Sequence, residues 1–206
     1  MLIALPCTFG IFTFAQPILD LVFPNANAGA NILQAISPII LFTVLAQTVN
    51  GALQGLGKHN TPAIALFCGA ITKLIINLIA IPISWIGIYG ATTSSIICHI
   101  ISFTIGFITL RKIVNFEFGI KKYIVKPIIA SVIMSILAYG VYLGLLNIID
   151  VSQSFATIVA LCMAVIIYLV IIVYSRIFNK EDIQAIFKGD KGEKVYNLLV
   201  RIKAYK

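Results

Sequence analysis

The hydrophobic pattern of this chain is a series of long apolar runs broken by short polar punctuation. The runs are continuous and do not alternate at period two, so the pattern predicts helices and argues against a β-barrel. About 20 residues at 1.5 Å each cross a hydrocarbon core about 30 Å thick. On that measure six spans are predicted, over 2–19, 31–53, 62–84, 88–110, 127–146 and 155–174. Pro62 suits a first helical turn. Gln16–Pro17 and Gln34 with Ser37–Pro38 are expected to kink their spans, because Pro removes a backbone donor. The short loops predict that the second, third and fourth spans are antiparallel neighbours.

Charge then orders these spans. Every Lys and Arg except Lys73 falls on an alternate junction: Lys58 after the second span, Arg111 to Lys126 after the fourth, and Arg176 to Lys206 after the sixth. The other junctions carry only acidic residues, Asp20 and Asp150, or no charge. Read by the positive-inside rule, this alternation expects both termini in the cytoplasm of a plasma-membrane protein. Trp85 and Tyr89 then fall at the outer interface and Tyr123 near the inner one. No basic residue precedes the first span, which reads as a chain begun in mid-helix, a sign of a fragment.

Composition excludes most other classes. The 206 residues are 60% hydrophobic and 11% charged, with a mean hydropathy of +1.05. A soluble domain is roughly 45–50% apolar and about 25% charged. A soluble enzyme, a nucleic-acid-binding domain and a disordered chain are therefore excluded, and the net charge of +8 reports orientation, not a polyanionic partner. Nucleotide-binding, zinc-protease and serine-hydrolase motifs are absent, so neither an enzyme nor a cofactor is expected. The four cysteines, Cys7, Cys68, Cys98 and Cys162, lie inside apolar runs without short spacing and are expected to be buried free thiols, not metal ligands.

Lys73 is the cation that the loops do not absorb. It lies about eleven residues into its span, or about 16 Å deep, and no Asp or Glu lies within any span. A midplane Lys costs several kcal/mol unless it meets a wet cavity or a partner. It would line a hydrophilic cavity and contact an anionic head group, or else pair with backbone carbonyls or with a carboxylate outside this chain. Asn77 lies one turn later and Thr72 is adjacent. On the second span Thr43, Gln47, Asn50, Gly51 and Gln54 share one side, which either hydrogen-bonds neighbouring helices or lines an aqueous path. On the fourth, Gly90, Ser94, Cys98, Ser102 and Gly106 recur at i+4, a groove of small residues that lets another helix approach closely. His99 neighbours this stripe and either faces a cavity or is simply hydrogen-bonded. The sixth span is apolar nearly all round, which suits lipid exposure. The tail over 176–206 reads as a basic amphipathic helix on the anionic inner leaflet, with Asn179 and Asp182 at its start.

The run Gly51-Ala-Leu-Gln-Gly-Leu-Gly-Lys58, followed by Pro62, Lys73, Asn77 and Gly87-Ile-Tyr-Gly-Ala91, resembles the polysaccharide-flippase branch of the MOP exporter superfamily. Pro6, Gly10 and Gln16 to Phe23 resemble that family's ninth helix. The resemblance implies an all-α transporter of fourteen helices in two lobes that open alternately to each side. Its substrates would be lipid-linked oligosaccharides or peptidoglycan precursors bearing a pyrophosphate, for cell-wall synthesis including that of sporulation. It further implies that Lys73 and Asn77 line the cavity between lobes, with Gln47, Asn50 and Gln54 near its cytoplasmic end. The six spans would be the last six helices, so the missing N-terminal lobe and two further helices are implied partners, along with membrane lipids. The alternative is a six-helix substrate-binding subunit of a vitamin importer. Such subunits carry an Ala-xxx-Ala contact in their first helix, which the first span here lacks.

Overall fold

A computed structural model describes residues 1–23, 29–83, 86–114, 125–148 and 152–175. These residues form eight helices and no strand: α1 (Ala4–Thr13), α2 (Ala15–Val22), α3 (Gly29–Ile36), α4 (Pro38–Gly55), α5 (Asn60–Ala80), α6 (Gly87–Ile113), α7 (Lys126–Ile148) and α8 (Gln153–Tyr174). The expected tail helix, Trp85 and Tyr123 lie outside the described residues. The chain divides into two compact units, Met1–Phe118 and Gly119–Lys206.

Five stretches are long and apolar enough to span a bilayer, with α3 and α4 counted together over Gly29–Gly55. A sixth exists if α1 and α2 are one broken span, bent by 76°. Both breaks have the cause expected of proline. Pro17 has no N–H to offer Thr13 and its ring crowds that carbonyl, and the helix breaks at Phe14. Pro38 likewise cannot donate to Gln34. The freed Gln34 carbonyl accepts from the Ser37 hydroxyl at 2.9 Å and from the Ser37 N–H at 3.3 Å, so the break leaves no bare acceptor. The two breaks are joined: Gln34 Nε2 donates to the Phe12 carbonyl at 3.0 Å.

In the first unit α6 is the centre. It packs most extensively on α5, then on α4, and also touches α3, whereas α4 and α5 barely meet despite their short connection. The expected neighbour order is therefore half right: sequence adjacency pairs α5 with α6, and α6 itself separates α4 from α5. The reason lies in the small-residue stripe. A Cβ on Gly90 would come within 2.6 Å of Ala80 Cβ on α5, and one on Gly106 within 2.9 Å of Val49 Cγ1 on α4. One stripe thus receives two helices, α5 at its N-terminal half and α4 at its C-terminal half.

α4 ends in a Schellman motif. Gly57 stands at φ +76°, its N–H bonds the Gln54 carbonyl at 2.9 Å, and Lys58 N–H bonds the Leu53 carbonyl at 2.9 Å. Only a residue without Cβ adopts that conformation cheaply. The Leu-Gln-Gly-Leu-Gly-Lys sequence is therefore a helix stop.

The second unit is a helical hairpin. Ala130, Ser131, Met134, Ser135, Ala138 and Tyr142 of α7 are buried, as are Ala156, Thr157, Ala160, Ala164, Tyr168 and Ile172 of α8. The other faces expose Ile136, Val165, Ile166 and Leu169. So α8 is not lipid-facing all round: one face of small residues approaches α7. Ser131 and Ser135 donate to the Pro127 and Ser131 carbonyls at 2.8 and 2.9 Å, which hides their hydroxyls within the helix.

Substitutions test these contacts. Gly57→Ala is expected to lower stability by about 1 kcal/mol through its left-handed backbone, read as a lower melting temperature in detergent. At Gly69 an added Cβ would meet the Cys98 backbone carbonyl at 2.7 Å, which cannot move aside as a side chain can. Gly69→Ala should cost about 1–3 kcal/mol. Gly10→Ala, where nothing lies within 4 Å, should be neutral or stabilising in the same measurement.

Candidate functional site

α5 has two faces. Exposed positions carry Ile64, Phe67, Ile71, Leu74, Ile75, Leu78 and Ile79. The opposite face is buried or half-buried and holds Ala65, Cys68, Gly69, Thr72, Lys73, Asn77 and Ala80 at helical spacing. The polar residues of α5 therefore sit on the side away from its aliphatic surface. That is the only arrangement a bilayer tolerates for an ammonium at this depth.

Asn77 Oδ1 accepts a hydrogen bond from Ser94 Oγ of α6 at 2.5 Å. Ser94 is fully buried, and its hydroxyl also lies 2.9 Å from the Ala91 carbonyl. Thr72 turns its hydroxyl back onto the Cys68 carbonyl at 2.9 Å and so offers little to a ligand. Lys73 is half-buried one turn before Asn77. His99 of α6, also half-buried, follows Cys98, whose carbonyl lies against Gly69, one turn before Lys73. Lys73, Asn77, Ser94 and His99 thus form one polar group on α5 and α6, and neither helix contains a carboxylate. No cluster of His, Cys, Asp and Glu suited to a metal occurs among the described residues.

The residues expected on one face of α4 are divided. Asn50 is buried against α6, its Oδ1 3.3 Å from where a Gly106 Cβ would stand, whereas Gln47, Gly51 and Gln54 are exposed. Of the small-residue stripe, Gly90, Ser94, Ser102 and Gly106 are buried and Cys98 is half-buried. Asn50 Oδ1 and Ser102 Oγ are buried without a hydrogen-bond partner among the described residues. The cysteines correct an expectation. All four are free, but Cys7 and Cys162 are exposed and Cys68 and Cys98 only partly covered. In a membrane chain an apolar side chain needs no protein cover, since lipid serves equally well.

Two residues that sequence reasoning passed over are Lys126 and Ser175. Lys126 Nζ donates to the Ser175 carbonyl at 2.8 Å, across the hairpin of α7 and α8. A basic residue at the start of one helix and an uncapped end of the next was the available signal. At the other basic junction, Arg111 and Lys112 occupy the last turn of α6, where cations favour the helix dipole. They line an open groove of 420 Å³ with Phe107 and Ile108.

The helices define a multi-pass membrane protein, and comparison with known families refines this. Residues 1–79 match the MatE family model. The chain is also distantly and partially homologous to two proteins of Bacillus subtilis (strain 168). It is 29% identical over 143 residues to the lipid II flippase MurJ, an overlap of 66% of this chain and 26% of that protein. It is 35% identical over 86 residues to the uncharacterized membrane protein YabM, covering 42% of this chain and 16% of YabM. The aligned part of this chain spans about a quarter of MurJ and less of YabM. No solved structure gives a significant match.

Two serines on α6 distinguish a satisfied hydroxyl from an unsatisfied one. Ser94→Ala orphans Asn77 Oδ1 and should lower stability by about 0.6 kcal/mol, the average for an interhelical hydrogen bond in a membrane protein. Ser102→Ala deletes a buried hydroxyl that bonds nothing among the described residues and should be neutral or slightly stabilising. Paired thermal melts in one detergent would compare them.

Proposed function

We propose that this chain is the C-terminal part of a MOP-type transporter that moves lipid-linked oligosaccharides or peptidoglycan precursors across the plasma membrane. The observation that carries the reading is the placement of Lys73. The ammonium stands midway along a spanning helix, half-buried on its polar side, with Asn77 and His99 close by and no carboxylate on either helix. An uncompensated cation at that depth is costly, and an anionic ligand offsets the cost. A pyrophosphate head group is such a ligand, with several acceptor oxygens for the three N–H donors of Lys73.

In this reading the head group meets Lys73 while the lipid tail stays in the bilayer, and two lobes rock about the bound head group. Asn77 and His99 add hydrogen-bond donors beside the cation. Asn50 lies on the seam of α4 and α6, and Gln47 and Gln54 lie on the exposed side of α4. The helices outside this chain would form the other lobe and complete this one, and both termini of this chain would face the cytoplasm, as the basic junctions favour. The match of residues 1–79 to MatE and the partial homology to a lipid II flippase support this class over a vitamin importer. Nothing in the arrangement calls for covalent chemistry.

The test is Lys73→Ala in the full-length transporter that contains these spans. Transport of the labelled lipid-linked precursor is expected to fall at least about tenfold, the loss of one charge-assisted contact, with unchanged protein level in the membrane. Lys73→Arg should keep part of the activity. Normal transport by Lys73→Ala would reduce Lys73 to a packing residue.

A further inference from the structure

The α7/α8 hairpin holds a groove that the transport reading leaves unused. Lys126, Ile129, Ala130 and Ile133 line it from α7, and Ile171 and Ser175 from α8, around a volume of 240 Å³. The α7 positions recur at three- and four-residue spacing, so they form a stripe about 10 Å long on one face. Lys126 stands at the end of the stripe. Its bond to the Ser175 carbonyl, at the C-cap of α8, fixes the ammonium in place. An ammonium has three donors, so this bond positions the charge without exhausting it.

The rest of the groove is aliphatic, and Ile129 and Ile133 are exposed at 53% and 41%. The volume is below the roughly 300–1,000 Å³ of a site that encloses a whole small molecule. It suits one end of an amphiphile, with an anion at Lys126 and the first methylenes of a chain along the isoleucines. Depth agrees with this division. A Lys at a helix end sits at head-group level, and residues one and two turns further in lie among acyl chains.

We propose that this groove binds one anionic glycerophospholipid, its phosphodiester on Lys126 and one acyl chain along Ile129, Ile133 and Ile171. Charge complementarity selects the occupant. Lys121 and Lys122 precede Lys126 in the chain and Arg176 follows Ser175, so the local sequence is strongly basic. A zwitterionic lipid brings its own cation to the same place and gains less. The site belongs to a different unit from Lys73, so this proposal and the transport reading can fail independently.

Native mass spectrometry of the full chain, titrated in detergent with phosphatidylglycerol, phosphatidylcholine or inorganic phosphate, reads the site directly. Phosphatidylglycerol should be retained about tenfold better than phosphatidylcholine, the factor for one charge-assisted hydrogen bond. Lys126→Gln should remove most of that preference and Lys126→Arg should keep it. Ile133→Trp leaves the charge and fills the groove, and should lower phosphatidylglycerol retention to the level of Lys126→Gln. The basic tail is present in every variant and so cancels. Equal retention of the two lipids, unchanged retention in Lys126→Gln, full retention in Ile133→Trp, or displacement of phosphatidylglycerol by equimolar inorganic phosphate would each overturn the proposal.

Discussion

Everything in the first unit depends on how closely backbones can approach α6. Within lipid, helices gain little by burying Leu or Ile against one another, since acyl chains are equally apolar. What holds them is van der Waals contact at short range and a few interhelical hydrogen bonds. Both need small side chains at the seam. Gly69 lets α5 reach the Cys98 carbonyl, Gly90 admits Ala80, and Gly106 admits Val49. The large apolar residues are correspondingly on the outside, as Phe67 and Leu74 show. The hairpin of α7 and α8 obeys the same rule with alanine in place of glycine.

That close approach also determines which polar residues come together. Because α5 lies against the N-terminal half of α6, Asn77 meets Ser94, and Gly69, one turn before Lys73, meets Cys98, which precedes His99. Because α4 lies against the C-terminal half, Asn50 is carried into the same unit but onto a different seam. The polar groups are therefore distributed along α6 and do not converge on one point. Ser94 on one seam is paired with Asn77, whereas Asn50 Oδ1 on the other is buried without a partner among the described residues.

The spans were legible because a hydrocarbon core dictates length and composition directly. The stripe at Gly90 to Gly106 was legible as a packing surface for the same reason. Its double occupancy was not, since periodicity identifies a face but not how many helices share it. The α4 residues show the limit clearly. Gln47 and Gln54 lie about 20° apart around the helix and Asn50 about 40–60° from them. They count as one face on paper, yet the edge of the seam with α6 falls between them. For α8, uniform apolarity concealed a packing face, although Ala156, Ala160 and Ala164 at i+4 were the sign of it. In the Leu-Gln-Gly-Leu-Gly-Lys run the sequence suggested family identity, while the geometry supplies a local reason for Gly57.

The two proline breaks are stitched together by a single side chain. Gln34, whose own carbonyl is released by Pro38, sends its amide to the Phe12 carbonyl beside the break above Pro17. Ser37 supplies the released carbonyl with a substitute bond from within the same turn. A break built this way carries its own insulation: it presents no naked Gln34 carbonyl to lipid. The amide strut also ties the break of the first span to that of the second, so that two interruptions of backbone pairing share one polar side chain.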